Sequence, residues 1–162
     1  MFRSWALLLL AFLASSPLAA RDLSPAQAHF VAEVRAVEAA PAAPDARDRL
    51  GTAFAWLTET KEVSLNWCST MLLDVAEADR DISSGLLLHS LLSAAVFVIE
   101  HPDQQADSLV VARAGLQGAL RYYKNLRRAS PSSARAPLDA LLEREAAGTL
   151  DEYLIPTLKG CK

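Results

Sequence analysis

A histidine, a serine and a carboxylate recur at helical spacing in the most apolar stretch of the chain. Ser93 and Glu100 follow His89 by 4 and 11 residues, close to one and three helical turns, so a helix places all three on one face. These are the residue types of a serine-hydrolase triad. However, the helical rise separates His89 from Glu100 by about 16 Å, which is beyond hydrogen-bond reach. No Gly-X-Ser-X-Gly motif accompanies them. The pattern therefore favours the polar edge of a buried helix, and we predict no catalytic residues.

Metal and cofactor ligation have little support in the sequence. His29 and Glu33 are four residues apart and could present two ligands on one helix face. A zinc site takes at least three protein ligands in most cases, and neither a His-Glu-X-X-His nor a Cys-X-X-Cys-His motif occurs. Glycine is scarce and nowhere forms a phosphate-binding loop. We predict that the protein holds no metal and no cofactor.

The two cysteines, Cys68 and Cys161, are the only pair available for a disulfide. A redox-active pair usually has Cys-X-X-Cys spacing, so we predict a structural bond. It would close a loop of 93 residues, for which the chain-entropy model gives about 4–5 kcal/mol of stabilisation. Disulfides persist in oxidising compartments, which points to an exported protein.

The first twenty residues have the pattern of a secretory signal peptide. Arg3 gives a basic start, Leu7 to Leu13 is apolar, and small residues lead to Ala20. The apolar run is shorter than the roughly 20 residues of a membrane span. We therefore predict a signal peptide over 1–20 and a single domain over 21–162 with no transmembrane segment. Arginine outnumbers lysine and alanine is abundant, as in GC-rich bacteria, so the expected destination is the periplasm rather than the medium.

Charge is concentrated in two places. The net charge of −3 argues against non-specific nucleic-acid binding, which depends on excess positive charge. A cationic face and an acidic face nevertheless emerge at helical spacing: Arg121, Lys124 and Arg128, and Asp74, Glu77 and Asp81. Cations are also favoured at helix C-termini by the helix dipole, and both faces could simply be solvated or pair with each other. If the protein has a partner surface, we expect it to use these six residues.

Helix signals run through the predicted domain. Ser24, Pro25 and Gln27 have the capping-box pattern of a helix start. Apolar residues over 46–80 keep a helical period, which predicts one long helix or two helices almost in line. A hairpin is the competing interpretation, because Val63, Leu65 and Trp67 alternate. A break at 83–85 then precedes an apolar helix, Leu86–Ile99, which is too short to span a membrane and is expected at the centre of the fold.

The second half continues the helical pattern. His101-Pro102-Asp103 predicts a stop and a restart, followed by a helix over about 103–128. Gly115 and Gly118 fall inside this helix, where close approach of another helix would explain them. Two shorter helices follow, one closed by Gly148 and one begun by a capping box at Thr149. The sequence predicts an all-α, irregular bundle of about five to seven helices with one disulfide.

The expected function is that of a binding module. We expect an exported, periplasmic or secreted helical protein that binds another protein and has no catalytic activity, with inhibitor or immunity proteins as an example of the class. The alternative is a small-ligand-binding or enzymatic helical domain. A pocket with convergent polar groups would favour the alternative, whereas a solid core with a charged surface patch would favour protein binding.

Overall fold

The computed structural model describes residues 22–72 and 80–161, without the side chains of Arg80, Asp81 and Ser83. Over these residues the chain forms helices and no β-strand, which confirms the predicted all-α bundle. The predicted signal peptide, Asp74 and Glu77 lie outside the described residues. The six α-helices described are α1 Pro25–Ala39, α2 Ala46–Glu59, α3 Arg80–Glu100, α4 Ser108–Ala129, α5 Ala136–Ala147 and α6 Leu150–Leu158.

Helix α1 begins as its sequence predicts. The Ser24 hydroxyl accepts a hydrogen bond from the Gln27 backbone N–H, and the Gln27 side chain accepts one from the Ser24 N–H. This capping box satisfies two N–H groups that a helix start would otherwise leave unpaired. Phe30, Val34 and Val37 form the buried stripe that fixes α1 against the core.

The prediction for residues 46–80 was wrong. Helix α2 ends at Glu59, and residues 60–68 form neither a helix nor a hairpin. The alternation of Val63, Leu65 and Trp67 belongs instead to a single non-helical segment whose side chains pack on the core. The Trp67 indole N–H also donates to Ser90 Oγ at 3.3 Å. Tertiary packing thus outweighs the helical period in this segment, because an extended chain buries alternate residues.

Helix α3 is longer than predicted. It runs through Ser84 and Gly85, where the sequence indicated a break. A glycine inside a helix costs about 1 kcal/mol relative to alanine, and burial of the following residues outweighs that cost. Leu86 and Leu92 have no exposed surface and belong to different hydrophobic clusters. Helix α3 contributes to every described cluster, which confirms its central position.

Helix α4 begins later than the predicted residue 103. A short 3-10 turn, Pro102–Gln104, follows α3, and the Asp107 carboxylate then accepts hydrogen bonds from the Leu109 and Val110 N–H groups. Asp107 is therefore the N-cap that the sequence analysis missed.

Among the helices described, α3 and α4 make the most extensive contact with each other. At Gly115 an added Cβ would lie 2.8 Å from the backbone oxygen of Ser90. At Gly118 it would overlap the Cβ and Oγ of Ser93. The two glycines are therefore required by close helix packing, as the sequence predicted.

The C-terminal helices are tied to the remainder of the domain. Gly148 ends α5 in a left-handed conformation (φ 71°). Helix α6 begins at Leu150 as predicted, but the capping box at Thr149 was wrong: the Thr149 hydroxyl makes no cap bond and donates instead to the Arg144 backbone oxygen at 3.4 Å. The helix continues past Pro156 to Leu158. Cys68 and Cys161 form the predicted disulfide, with Cα atoms 5.9 Å apart. No helix in the described part of the chain is long and apolar enough to cross a membrane.

Candidate ligand cleft

An open cleft of about 470 Å³ lies where α1, α3 and α4 meet. Each helix contributes polar side chains to its walls. The polar ones that matter here are Arg35 and Glu38 from α1, Ser93 and Glu100 from α3, and Gln117 and Arg121 from α4; Phe97 of α3 adds an aromatic surface.

Helix α1 presents two opposite charges to the cleft. Val34 and Val37 anchor α1 in the core, and Arg35 and Glu38 each follow one of these anchors directly. Residues three apart are neighbours on a helix surface, so the two charges lie about one turn apart. The anchoring pattern therefore determines where both side chains lie.

Arg35 pairs with Glu100 across the mouth of the cleft. Its Nη2 donates to both carboxylate oxygens of Glu100, at 3.0 and 2.9 Å. The Arg35 side chain is 50 % exposed and that of Glu100 is 31 % exposed. Solvent screens such a pair, so it contributes little to stability while remaining accessible to a ligand.

Arg121 pairs with Glu38 on the other side. Its Nε and Nη2 donate to the two Glu38 oxygens at 2.6 and 3.1 Å, a bidentate arrangement. The Asn125 amide also donates to the backbone oxygen of Glu38 at 2.7 Å. These bonds fix the end of α1 against α4.

Glu38 is the most strongly perturbed carboxylate described. Burial raises its pKa, but the pairing with His89 and Arg121 outweighs burial and lowers the pKa to about 2. The separation of His89 Nε2 and Glu38 Oε2 is 3.7 Å, which is an ion-pair distance and longer than a hydrogen bond. Glu38 therefore stays ionised at neutral pH, with Arg121 as its directly bonded partner.

His89 lies fully buried behind the cleft. Its ring stacks on Tyr122, with centroids 4.8 Å apart, and neither ring nitrogen has a hydrogen-bond partner. The Ser93 hydroxyl one turn later is also buried and unpartnered, beside Gly118. Two polar groups without partners in a well-packed interior are unusual. Ser93 lines the cleft, whereas His89 lies 3.7 Å from Glu38, which lines it.

The remaining wall combines an apolar surface with an amide. Phe97 packs against the His101 ring, with centroids 4.7 Å apart. Gln117 is partly exposed, and its amide makes no hydrogen bond with any described residue. The cleft therefore offers an aromatic surface beside unused donors and acceptors.

The structure brings together only part of the His89, Ser93 and Glu100 set that the sequence analysis considered. Ser93 lines the cleft and His89 lies behind Glu38, but Glu100 pairs with Arg35, as expected from its distance from His89 along α3. The carboxylate beside His89 is Glu38 of α1, which the sequence analysis did not consider. Its position directly after the buried Val37 was the available signal, but the partner helix could not be inferred from spacing.

The predicted cationic face is divided in the structure. Arg121 is held by Glu38, and Arg128 donates to the Asn125 side-chain oxygen at 3.1 Å. Lys124 is exposed and makes no ion pair with the residues described. Of the acidic face, Asp74 and Glu77 lie outside the described residues, and the Asp81 side chain is not described.

The histidine–glutamate pair considered for metal binding forms part of an ion-pair network. His29 Nδ1 lies 4.0 Å from a Glu33 oxygen, and Arg49 donates to both Glu33 oxygens at 3.0 Å. Among the described residues no group of three or more histidine, cysteine, aspartate or glutamate side chains could hold a metal ion.

Comparison with known proteins gives no match to a family model, to a curated protein or to a solved structure.

Proposed function

We propose that this protein is a non-catalytic binding protein that takes up a small polar ligand in the cleft between α1, α3 and α4. The observation that carries the proposal is the convergence of polar side chains from three helices on one cavity of about 470 Å³. Small-molecule sites have volumes of roughly 300–1,000 Å³ and combine apolar walls with a few oriented polar groups. Phe97 supplies an apolar wall, and Arg35, Gln117 and Arg121 supply the polar groups.

Binding without catalysis is favoured by the arrangement of Ser93 and His89. A nucleophile needs a base within hydrogen-bond reach, and the Ser93 hydroxyl has no hydrogen-bond partner. His89 is stacked on Tyr122 beneath the cleft surface. This arrangement supports a structural role for both residues.

We also propose that the protein acts outside the cytoplasm, in the periplasm. The Cys68–Cys161 disulfide supports an oxidising compartment, and the residue pattern of the first twenty residues supports export. Intact-mass analysis of the protein from a periplasmic fraction tests this proposal: a mass that begins at or near Arg21 is expected, and a mass that retains residues 1–20 would contradict it.

A binding screen with a cleft-filling variant tests the function. Ala114 lines the cleft, and Ala114→Phe should occupy part of it. Ala140→Phe is the matched control, because Ala140 is exposed on α5, which does not line the cleft. A library of small polar metabolites is screened by thermal shift, and hits are titrated by calorimetry against both variants.

We expect at least one hit that binds the wild type and Ala140→Phe equally and binds Ala114→Phe at least tenfold more weakly, a loss of about 1.4 kcal/mol. Hits that bind both variants equally would place the site elsewhere. A screen without hits would contradict the proposal.

A second candidate is docking of an acidic protein partner on the end of α4. The exposed cation Lys124 without an ion pair among the described residues favours it, together with Arg128 one turn later. Charge complementarity of this kind accelerates association and weakens with salt. A partner that copurifies from the periplasm at low salt, and not with the Lys124→Glu, Arg128→Glu double variant, would support this candidate. Copurification unaffected by salt and by the double variant would exclude it.

A further inference from the structure

The charged groups of the two ion pairs in the cleft alternate in sign. Along α1 a positive charge, Arg35, is followed one turn later by a negative charge, Glu38. Each faces its opposite on a different helix: Glu100 on α3 and Arg121 on α4. The four charged groups therefore alternate in sign, with opposite charges facing each other in each ion pair and following each other along α1.

Each pair leaves hydrogen-bonding capacity unused. Arg35 binds Glu100 through Nη2 alone, so its Nε and Nη1 donors are free of described partners. Arg121 binds through Nε and Nη2, so its Nη1 is likewise available. Each Glu100 oxygen accepts one bond from Arg35, although a carboxylate oxygen can accept two. The cleft thus presents both donors for a carboxylate and acceptors for an ammonium group.

The net charge of the cleft argues against a singly charged ligand. The charges of the two arginines and the two glutamates that line the cleft cancel. An anion alone would gain from the arginines but face Glu38 and Glu100 at close range, and a cation alone would face the reverse. A molecule with one charge of each sign meets opposite charges on both sides.

We propose that the cleft binds a zwitterion of the α-amino acid or short-peptide class. This inference rests on the proposed function and specifies its ligand. The ligand carboxylate contacts the free Nη1 donors of Arg121, assisted by the Gln117 amide, and the ligand ammonium contacts Glu100. The apolar side chain of the ligand lies on Phe97. Arg35 and Glu38 are three residues apart on α1, so the two ion pairs follow each other within about one helical turn, roughly 5 Å along the helix axis.

Calorimetric titration with matched derivatives tests the proposal. The probes are L-phenylalanine, L-leucine and the dipeptide Ala-Phe, each as the free zwitterion, as the N-acetylated anion and as the C-terminal amide cation. The derivatives keep the side chain and remove one charge at a time. We expect the free form of at least one probe to bind about tenfold more tightly than both of its derivatives, since a charge-assisted hydrogen bond is lost in each.

The variant Glu100→Gln isolates the ammonium contact. It should reduce the preference for the free form over the N-acetylated form to within about twofold, while the preference over the amide stays unchanged. Glu33→Gln is the matched control, because Glu33 is also a carboxylate paired with an arginine, Arg49, but lies outside the cleft. It should leave both preferences as in the wild type.

The outcomes separate this inference from the proposed function. If the N-acetylated or amide form binds as well as the free form, the ligand is not recognised as a zwitterion and the inference is wrong. If none of the probes binds and the metabolite screen yields a neutral or singly charged ligand that Ala114→Phe excludes, the inference is wrong and the proposed function stands. If no ligand depends on the cleft in either experiment, both fail.

Discussion

The close contact between α3 and α4 gives the sharpest stability prediction. Alanine normally stabilises a helix by about 1 kcal/mol relative to glycine. At Gly118, however, the added Cβ would overlap the Cβ and Oγ of Ser93 on α3. The contacted atoms lie on the stiff base of a buried side chain, so the helices themselves must separate. Overpacking of this kind costs about 1–3 kcal/mol.

Because the added Cβ would overlap two Ser93 atoms rather than merely touch them, the upper part of this range applies, about 2–3 kcal/mol. Subtracting the gain in helix propensity of about 1 kcal/mol, we expect Gly118→Ala to destabilise the fold by about 1–2 kcal/mol. Gly51→Ala provides the control, because Gly51 lies in α2 with no atom within 4 Å of the added Cβ. The same substitution there should stabilise by about 0.5–1 kcal/mol. The same glycine-to-alanine change should thus raise the free energy of unfolding at Gly51 and lower it at Gly118.

Urea unfolding followed by circular dichroism measures both effects. With a slope of about 2 kcal/mol per molar urea, the Gly118→Ala midpoint should fall by about 0.5–1 M, and the Gly51→Ala midpoint should rise. Adding Ser93→Gly to Gly118→Ala removes the side chain that the new Cβ would overlap, so the double variant should unfold with a free energy at least about 1 kcal/mol higher than the sum of the two single changes predicts. A Gly118→Ala protein as stable as the wild type, or strictly additive single changes, would refute this account of the packing.

Three further predictions follow from the core, the disulfide and the cleft. Leu92→Ala should cost about 2–5 kcal/mol because Leu92 is fully buried, and a loss below about 1 kcal/mol in urea unfolding would place α3 near the surface. The Cys68→Ser, Cys161→Ser double variant should lose about 4–5 kcal/mol through the freed loop, and unfolding unchanged by the double substitution would contradict this. Folding lowers the pKa of Glu38 from 4.5 to about 2, so its ionised form stabilises the folded state at pH values above 4.5, and this stabilisation is lost as the pH falls towards 2. Glu38→Gln should therefore flatten acid unfolding between about pH 5 and pH 2, and an acid-unfolding curve identical to that of the wild type would show that the carboxylate is not stabilising.

Local signals in the sequence predicted two helix ends correctly, although the cap at Asp107 was missed and Thr149 makes no cap bond. The capping box at Ser24 and the left-handed glycine at Gly148 act within a few residues of their own helix, so spacing along the chain is enough to identify them. The disulfide was predictable because only two cysteines exist.

Where long-range packing decides, prediction from the sequence failed. The helical period of 46–80 did not reveal that Val63, Leu65 and Trp67 pack as alternate residues of a non-helical segment. Likewise, Gly85 lies inside α3 because the surrounding core outweighs its low helix propensity. Both depend on contacts with residues distant in the chain.

The cleft was the least predictable feature for the same reason. Arg121 was assigned to a surface patch, because nothing in its neighbourhood shows that Glu38, 83 residues earlier, would bind it. Glu100 was considered with His89 because both lie on one helix, although its partner is Arg35 on another. Polar residues that meet across three helices have no shared sequence period.

The most direct test of the central claim is an NMR titration of the isotope-labelled protein with free L-phenylalanine or the tightest probe of the calorimetric series. Binding in the cleft should shift the Nε–H signals of Arg35 and Arg121 and the backbone amides near Phe97, Glu100 and Gln117. Shifts that map instead to the groove beside Leu50 and Gly85, between α2 and α3, or an absence of saturable shifts, would contradict the claim that this cleft binds a zwitterionic ligand.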